Sequence, residues 1–212
     1  MNDLNKQQQI VNEVWSAITH GIGVGLSIWL LVLLILKGLA TSSALAFSAY
    51  LFYGLTLLFL YLASTLFHCL YFTKARRLFQ LFDHISIYLL IAGTYMPYCI
   101  VGIGGTKGLV MWAVIACLML FGILYHTFAK PRYQIVETLT CVLAGWLCVF
   151  TFKPLANALG LTGLLLLFFG GVAFTLGALV YSLKKRYMHI YWHLFVILGS
   201  GLMFCSIYFY LK

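Results

Sequence analysis

The chain has 212 residues, of which 64% are hydrophobic and only 8% charged. A soluble domain runs near ~45–50% apolar and ~25% charged, so a water-soluble globular protein is excluded and a polytopic membrane protein is expected. The net charge of +9 is not read as a nucleic-acid surface, because Lys and Arg in the loops of a membrane protein report orientation.

In chain order, residues 1–19 form a polar segment. It lacks the basic-then-apolar order of a cleaved signal peptide, so the first span is expected to be a retained anchor. Seven apolar runs follow, at roughly 21–37, 44–67, 82–101, 108–128, 134–152, 159–181 and 189–211. Each is near the ~20 residues that a spanning helix needs. Charges or turn residues fill the breaks, as at Lys74 to Arg77, Lys130 to Arg132 and Lys184 to Arg186. The runs are continuous rather than alternating, which points to helices and not to a barrel. The sequence holds no repeat and no second domain, so 1–212 reads as one all-α, seven-helix membrane domain with antiparallel neighbours. Pro97 is expected to kink the third span and Pro131 to suit a helix start. The glycines of the first and sixth spans, Gly21, Gly23 and Gly25 and then Gly170, Gly171 and Gly177, are expected to permit close helix contact. The six cysteines form no CxxC pair and read as small hydrophobes.

Basic residues fall unevenly between the two sides. Lys6, Lys74, Arg76, Arg77, Lys130, Arg132, Lys184, Lys185 and Arg186 share the side of the N-terminus, whereas Lys37, Lys107, Lys153 and Lys212 lie opposite. The excess is expected to hold the N-terminus in the cytoplasm and leave the C-terminus outside, in the cell's inner (plasma) membrane.

All six histidines fall toward that basic side, at the ends of spans: His20, His68, His84, His126, His189 and His193. So do the four acids, Asp3, Glu13, Asp83 and Glu137. At ~1.5 Å of rise per residue, His68 lies about 9 Å inward of Lys74 and Asp83 about 9 Å inward of Arg77. His189 and His193 lie about 4.5 and 10 Å inward of Arg186 on the same scale. Ser64 is one turn from His68 on the same helix face. Histidines at i and i+4 can both point at one ion. A third imidazole from His68 would give three neutral ligands and leave a fourth tetrahedral position open, as in catalytic zinc sites. Asp83 and Ser64 would then be the groups placed to handle protons and oxygen atoms beside it. The competing reading is that these imidazoles hydrogen-bond backbone or headgroups near the interface. His84 and Asp83 are adjacent and point about 100° apart, so His84 reads either as a support behind the metal's ligands or, the first choice, as a polar contact to another helix. His20, in the N-terminal motif with Glu13, reads as making an interfacial hydrogen bond rather than ligating an ion, His126 as interfacial near Lys130, and Glu137 as a first-turn acid for which Arg132 is an available partner.

Three stretches together resemble a known family. They are Ser64-x3-His68 at the end of the second span, Asp83-His84 followed by "IYLLIAGTYMPY", and "HIYWHLF" at residues 189–195. With the N-terminal "NEVWSAITHGIG", they resemble the hemolysin III family, the bacterial branch of the progestin and adiponectin receptor (PAQR) superfamily, over essentially the whole chain. The resemblance implies a seven-helix bundle with a cytoplasmic N-terminus. It implies zinc held by the residues matching His68, His189 and His193, with the matches to Ser64 and Asp83 associated with the metal's water. The adiponectin receptor branch resembles lipid amidases. The long N-terminal extension of the animal receptors is absent from this sequence, so receptor signalling is not part of the expectation.

Two functions follow. The first is a zinc-dependent hydrolase cleaving an amide or ester of a membrane lipid at the cytoplasmic side, with Asp83 and Ser64 as catalytic groups. The second is a non-enzymatic protein that perturbs membranes, as the hemolysin name suggests, or senses lipid state, with zinc only bracing the bundle. The polar cluster stops in one half of the spans, and outer halves such as "LLVLLIL" are apolar, which argues against a pore through a single copy.

Overall fold

A computed structural model describes residues 5–183, 185 and 187–211. Asp3, Lys184, Arg186 and Lys212, which entered the charge and depth readings, lie outside the described residues. The described residues are helical with no strands. The helices are α1 (Lys6–Leu39), α2 (Ala44–Cys69), α3 (Arg76–Pro97), α4 (Gly105–Phe128), α5 (Gln134–Gly145), α6 (Phe152–Ser182) and α7 (Met188–Cys205).

Six helical stretches are long and apolar enough to cross a membrane. One of them, Gln134–Ser182, has 49 residues and contains both of the runs expected at 134–152 and 159–181. At ~1.5 Å per residue it would be about 74 Å long if straight, and it is not straight. Gly160 has φ 64 and ψ −179, a backbone that only glycine adopts freely. Beyond it the chain runs back on itself: the Trp146 indole N–H donates to Thr175 Oγ1 at 3.0 Å, and its ring meets Phe168. A tighter helical turn at Leu147–Thr151 interrupts the first arm. Tyr95 of α3 satisfies the backbone there, donating to the Ala144 and Gly145 carbonyls and accepting from the Cys148 N–H. Without water, an unpaired backbone group costs several kcal/mol, so one phenol supports the break.

The first helix is longer than the sequence pattern implies. α1 starts at Lys6, with Asn5 and Gln8 forming a reciprocal cap. Residues 6–19 are therefore its first turns, not a detached polar tail. The reason is visible in the spacing: Glu13, Ser16, His20, Gly23 and Ser27 recur at three- and four-residue steps and are all buried. α1 packs along α2 and α7, α2 along α3, and α6 along α7. At its far end, Lys37 Nζ donates to the carbonyls of Tyr208 and Leu211 at 2.7 and 2.8 Å, fastening α1 to the last turn after α7.

Pro97 has no N–H for the carbonyl one turn back, and past it α3 continues as a wider helical turn over Tyr98–Ile103. Pro131 precedes the α5 start by three residues rather than opening the helix. The expected glycine contacts are present at Gly23 against Tyr61, at Gly177 against Trp192 and Phe195, and at Gly170 against Gly199, whereas Gly25 faces open space. A Cβ at Gly199 would fall 2.7 Å from the Phe174 ring and 3.2 Å from the Gly170 carbonyl. Gly199→Leu should therefore overpack the α6–α7 seam and cost about 1–3 kcal/mol. A lowered midpoint in thermal unfolding of the detergent-solubilised protein would register it; an unchanged midpoint would show that the seam is looser than this.

Candidate metal centre

Histidines on an α7 face at i and i+4 meet a histidine from the end of α2. His189 Nε2 lies 3.2 Å from His68 Nε2 and 3.0 Å from His193 Nε2. One ligand atom from each of the three lies within 4.8 Å of the others, a group that could hold a metal ion. His68 and His193 are buried and His189 partly so. Three nitrogens around a tetrahedral zinc at ~2.0–2.1 Å would be about 3.3 Å apart, close to the two spacings that His189 makes.

The partners of the outer ring nitrogens fix which edge each imidazole presents. His68 Nδ1 lies 2.7 Å from Glu13 Oε2, with both side chains almost fully buried. The carboxylate accepts a hydrogen bond from Nδ1–H, which leaves Nε2 with only its lone pair. Gln9 donates to the other Glu13 oxygen. His193 Nδ1 lies 3.2 Å from Thr19 Oγ1, whose own proton is given to the Trp15 or Ser16 carbonyl. The hydroxyl oxygen is thus an acceptor for Nδ1–H, and His193 Nε2 is bare as well. Such partners orient metal-binding histidines and raise their basicity.

Two of the group, His189 and His193, line a cavity of about 120 Å³, room for several waters. Ser64 and Asp83 both line it, as do His20, His84, His126 and Glu137. Ser64 is 1% exposed, and its Oγ has no hydrogen-bond partner. A buried hydroxyl with nothing to bond to costs ~1–3 kcal/mol, so its place on a cavity wall shared with His189 and His193 fits water or a polar ligand held there. Asp83 is not one of the three-residue group. Its carboxylate lies 3.9 Å from His84 Nδ1.

The other titratable side chains depart from the sequence reading. His20 is 3% exposed and stacks on His193, with neither ring nitrogen in a well-formed hydrogen bond, so the interfacial hydrogen bond expected of it is not seen; its motif neighbour Glu13 bonds His68 instead. His126 is buried within the protein. Its Nδ1 bonds Glu137 at 2.7 Å, and Arg132 donates to its Nε2 and carbonyl. Glu137 therefore pairs with His126 rather than Arg132. His84 makes the expected cross-helix contact, its ring stacked on that of His126 at 4.9 Å. Sequence reasoning missed Glu13 and Thr19 as partners of the metal-binding candidates. Their signal was the helical spacing of polar residues before the first apolar run, masked by the overall polarity of that segment.

Fold and site together define a helical membrane protein with a three-histidine group, able to hold a metal ion, at one end of its bundle. The family described as Haemolysin-III related matches residues 8–204, and the chain belongs to that family. It is 39% identical over 204 residues to Hemolysin-3 of Bacillus cereus, covering 96% of this chain and 93% of the relative. It is 39% identical over 202 residues to a Hemolysin-3 homolog of Bacillus subtilis (strain 168), covering 95% of both. A more distant relative, of PAQR type, is the human Monocyte to macrophage differentiation factor, 26% identical over 170 residues, or 75% of this chain and 68% of that one.

Glu13→Gln keeps the size of the side chain but removes the charge that holds the His68 proton. It should weaken metal affinity about 10- to 100-fold, read by competition with a chelating dye on purified protein. Equal affinity in the variant would mean that Glu13 does not support the site.

Proposed function

We propose that the chain is a zinc-dependent membrane hydrolase acting on an amide or ester bond of a lipid. The observation that carries this reading is the open side of the histidine group: His189 and His193, two of its three members, share one cavity with Asp83 and an unpartnered Ser64 hydroxyl. His68, His189 and His193 would hold the ion. A zinc ion there would supply Lewis acidity, polarising a carbonyl and making water a stronger acid.

The chain's own groups would do the rest. Ser64 Oγ, held rigidly one turn from His68, would hydrogen-bond an oxygen of the substrate or of the attacking water. Asp83 would take a proton from that water on a carboxylate oxygen as the water oxygen joins the carbonyl carbon. It would return the proton to the departing nitrogen or oxygen as the carbonyl C–N or C–O bond breaks. A second, apolar cavity of about 90 Å³ adjoins the first, with Ile87, Cys141, Ala178 and Trp192 in both walls. A polar compartment beside an apolar one suits a molecule with a polar linkage and a hydrocarbon chain.

Seven crossings with a cytoplasmic N-terminus complete the proposal, within a single membrane domain in the inner (plasma) membrane. The reversal at Gly160 supports two crossings within 134–182. The basic excess on one side supports the orientation. The site would then lie in the cytoplasmic half of the bilayer.

A second reading, a membrane-perturbing protein in which the metal is structural, takes its support from the name carried by the Bacillus relatives. Lipid product analysis separates the two. Purified zinc-loaded protein, incubated in nanodiscs with a panel of lipid amides and esters, should release fatty acid. Asp83→Asn should retain the metal and lose about 10²–10⁴-fold of that rate. Zinc retained with no product from any lipid would favour the second reading.

A further inference from the structure

His20 carries the largest unmet bonding capacity in the cavity wall. It sits on the α1 face that also presents Glu13 and Ser16. One face of its ring is stacked on His193, with centroids 3.6 Å apart and planes 14° from parallel, and it meets Tyr61 edge-on at 5.2 Å. The residue is 3% exposed. Neither ring nitrogen has a well-formed hydrogen bond, although the His193 backbone is close enough to interact with the ring. The ring lines the cavity together with Ser64, Asp83, His189 and His193.

Two simpler roles do not account for this. A fourth metal ligand would need its in-plane lone pair to converge with that of His193, but near-parallel stacked rings send them side by side, and His20 is not among the three residues that group. A packing role would be filled as well by phenylalanine, which stacks without burying two polar nitrogens. Buried polar groups find partners, and the partner missing here is one that the cavity can admit.

We propose that His20 is a ligand-binding residue. As a neutral imidazole it donates one hydrogen bond to an acyl-type oxygen, carbonyl or carboxylate, that enters the cavity beside the three histidines, with Ser64 Oγ as the second contact. The inference rests on the metal-centre reading and adds to it the group that fixes the substrate's oxygen. It requires no change in the charge of His20, only its N–H.

Acetohydroxamate, a small acyl-type chelator, serves as the probe. Its affinity for the zinc-loaded, detergent-solubilised protein is measured by calorimetry, beside metal content by mass spectrometry. His20→Phe keeps the stacked ring and removes the donor. It should retain the metal and weaken acetohydroxamate about tenfold or more. His20→Gln, which restores an N–H, should recover part of the loss. Unchanged hydroxamate affinity in His20→Phe would overturn the proposal, since the ring would then serve only to stack. Loss of the metal in His20→Phe would overturn it too, by making His20 a support for His193. A wild-type protein that holds no metal would instead fail the centre itself, and this inference with it, so the two failures are told apart by the metal content of the wild type.

Discussion

Three imidazole nitrogens gathered inside an apolar bundle, that of His189 lying 3.2 Å from His68 and 3.0 Å from His193, are the constraint from which the rest of this structure follows. His68 and His193 each spend their one proton on an outer partner, Glu13 and Thr19. Their inner nitrogens then offer only lone pairs. His189 has a single proton to place between two such neighbours. Neutral imidazoles alone leave the cluster short of donors, and a cation among them satisfies all three nitrogens at once. A carboxylate buried against His68 adds negative charge that further favours a cation there. The donor chemistry and spacing thus describe a group that could hold a metal ion without any appeal to relatives.

Holding that cluster is the work of α1 as much as of the helices that bear the ligands. α2 supplies His68 and α7 supplies His189 and His193, but their outer nitrogens are both fixed from the first helix. The same helix is tied to the chain after α7 by Lys37 at its other end. α1 is therefore anchored to α7 at two places far apart along its length, and α6 closes on α7 through the Gly170–Gly199 contact. The glycines let backbones approach in lipid, where there is no hydrophobic drive between helices. Polar contacts then fix the register, and register decides whether three nitrogens meet. The α3–α5 side is held differently, by the Tyr95 hydroxyl under the broken backbone and by the His126–Glu137 pair, and it forms the other wall of the cavity.

Much of this was legible in the sequence. Hydropathy runs located the helices, since a span must satisfy its own backbone, and a pair at i and i+4 declared that His189 and His193 share a face. Matching His68 to that pair needed only depth. What hydropathy cannot mark is a helix that begins before its apolar run. Glu13, Ser16 and Thr19 look like a solvated tail until their three- and four-residue spacing is set against a packing partner, and that partner is known only from the tertiary fold. The partners of His126 and Glu137 were hidden for the same reason, because Arg132 is nearer in sequence to Glu137 but bonds the histidine between them in space. The merging of two apolar runs into one stretch turned at Gly160 reflects a helical path through a break that residue types alone signalled only with a lysine and a proline.

The measurement that bears most directly on the metal centre is an anomalous-scattering map at the zinc absorption edge, from crystals of protein purified without added metal. The structure predicts one peak about 2.0–2.1 Å from the Nε2 atoms of His68, His189 and His193 together. Density showing the three rings in place with no anomalous peak among them, or a peak bound elsewhere in the bundle, would contradict it.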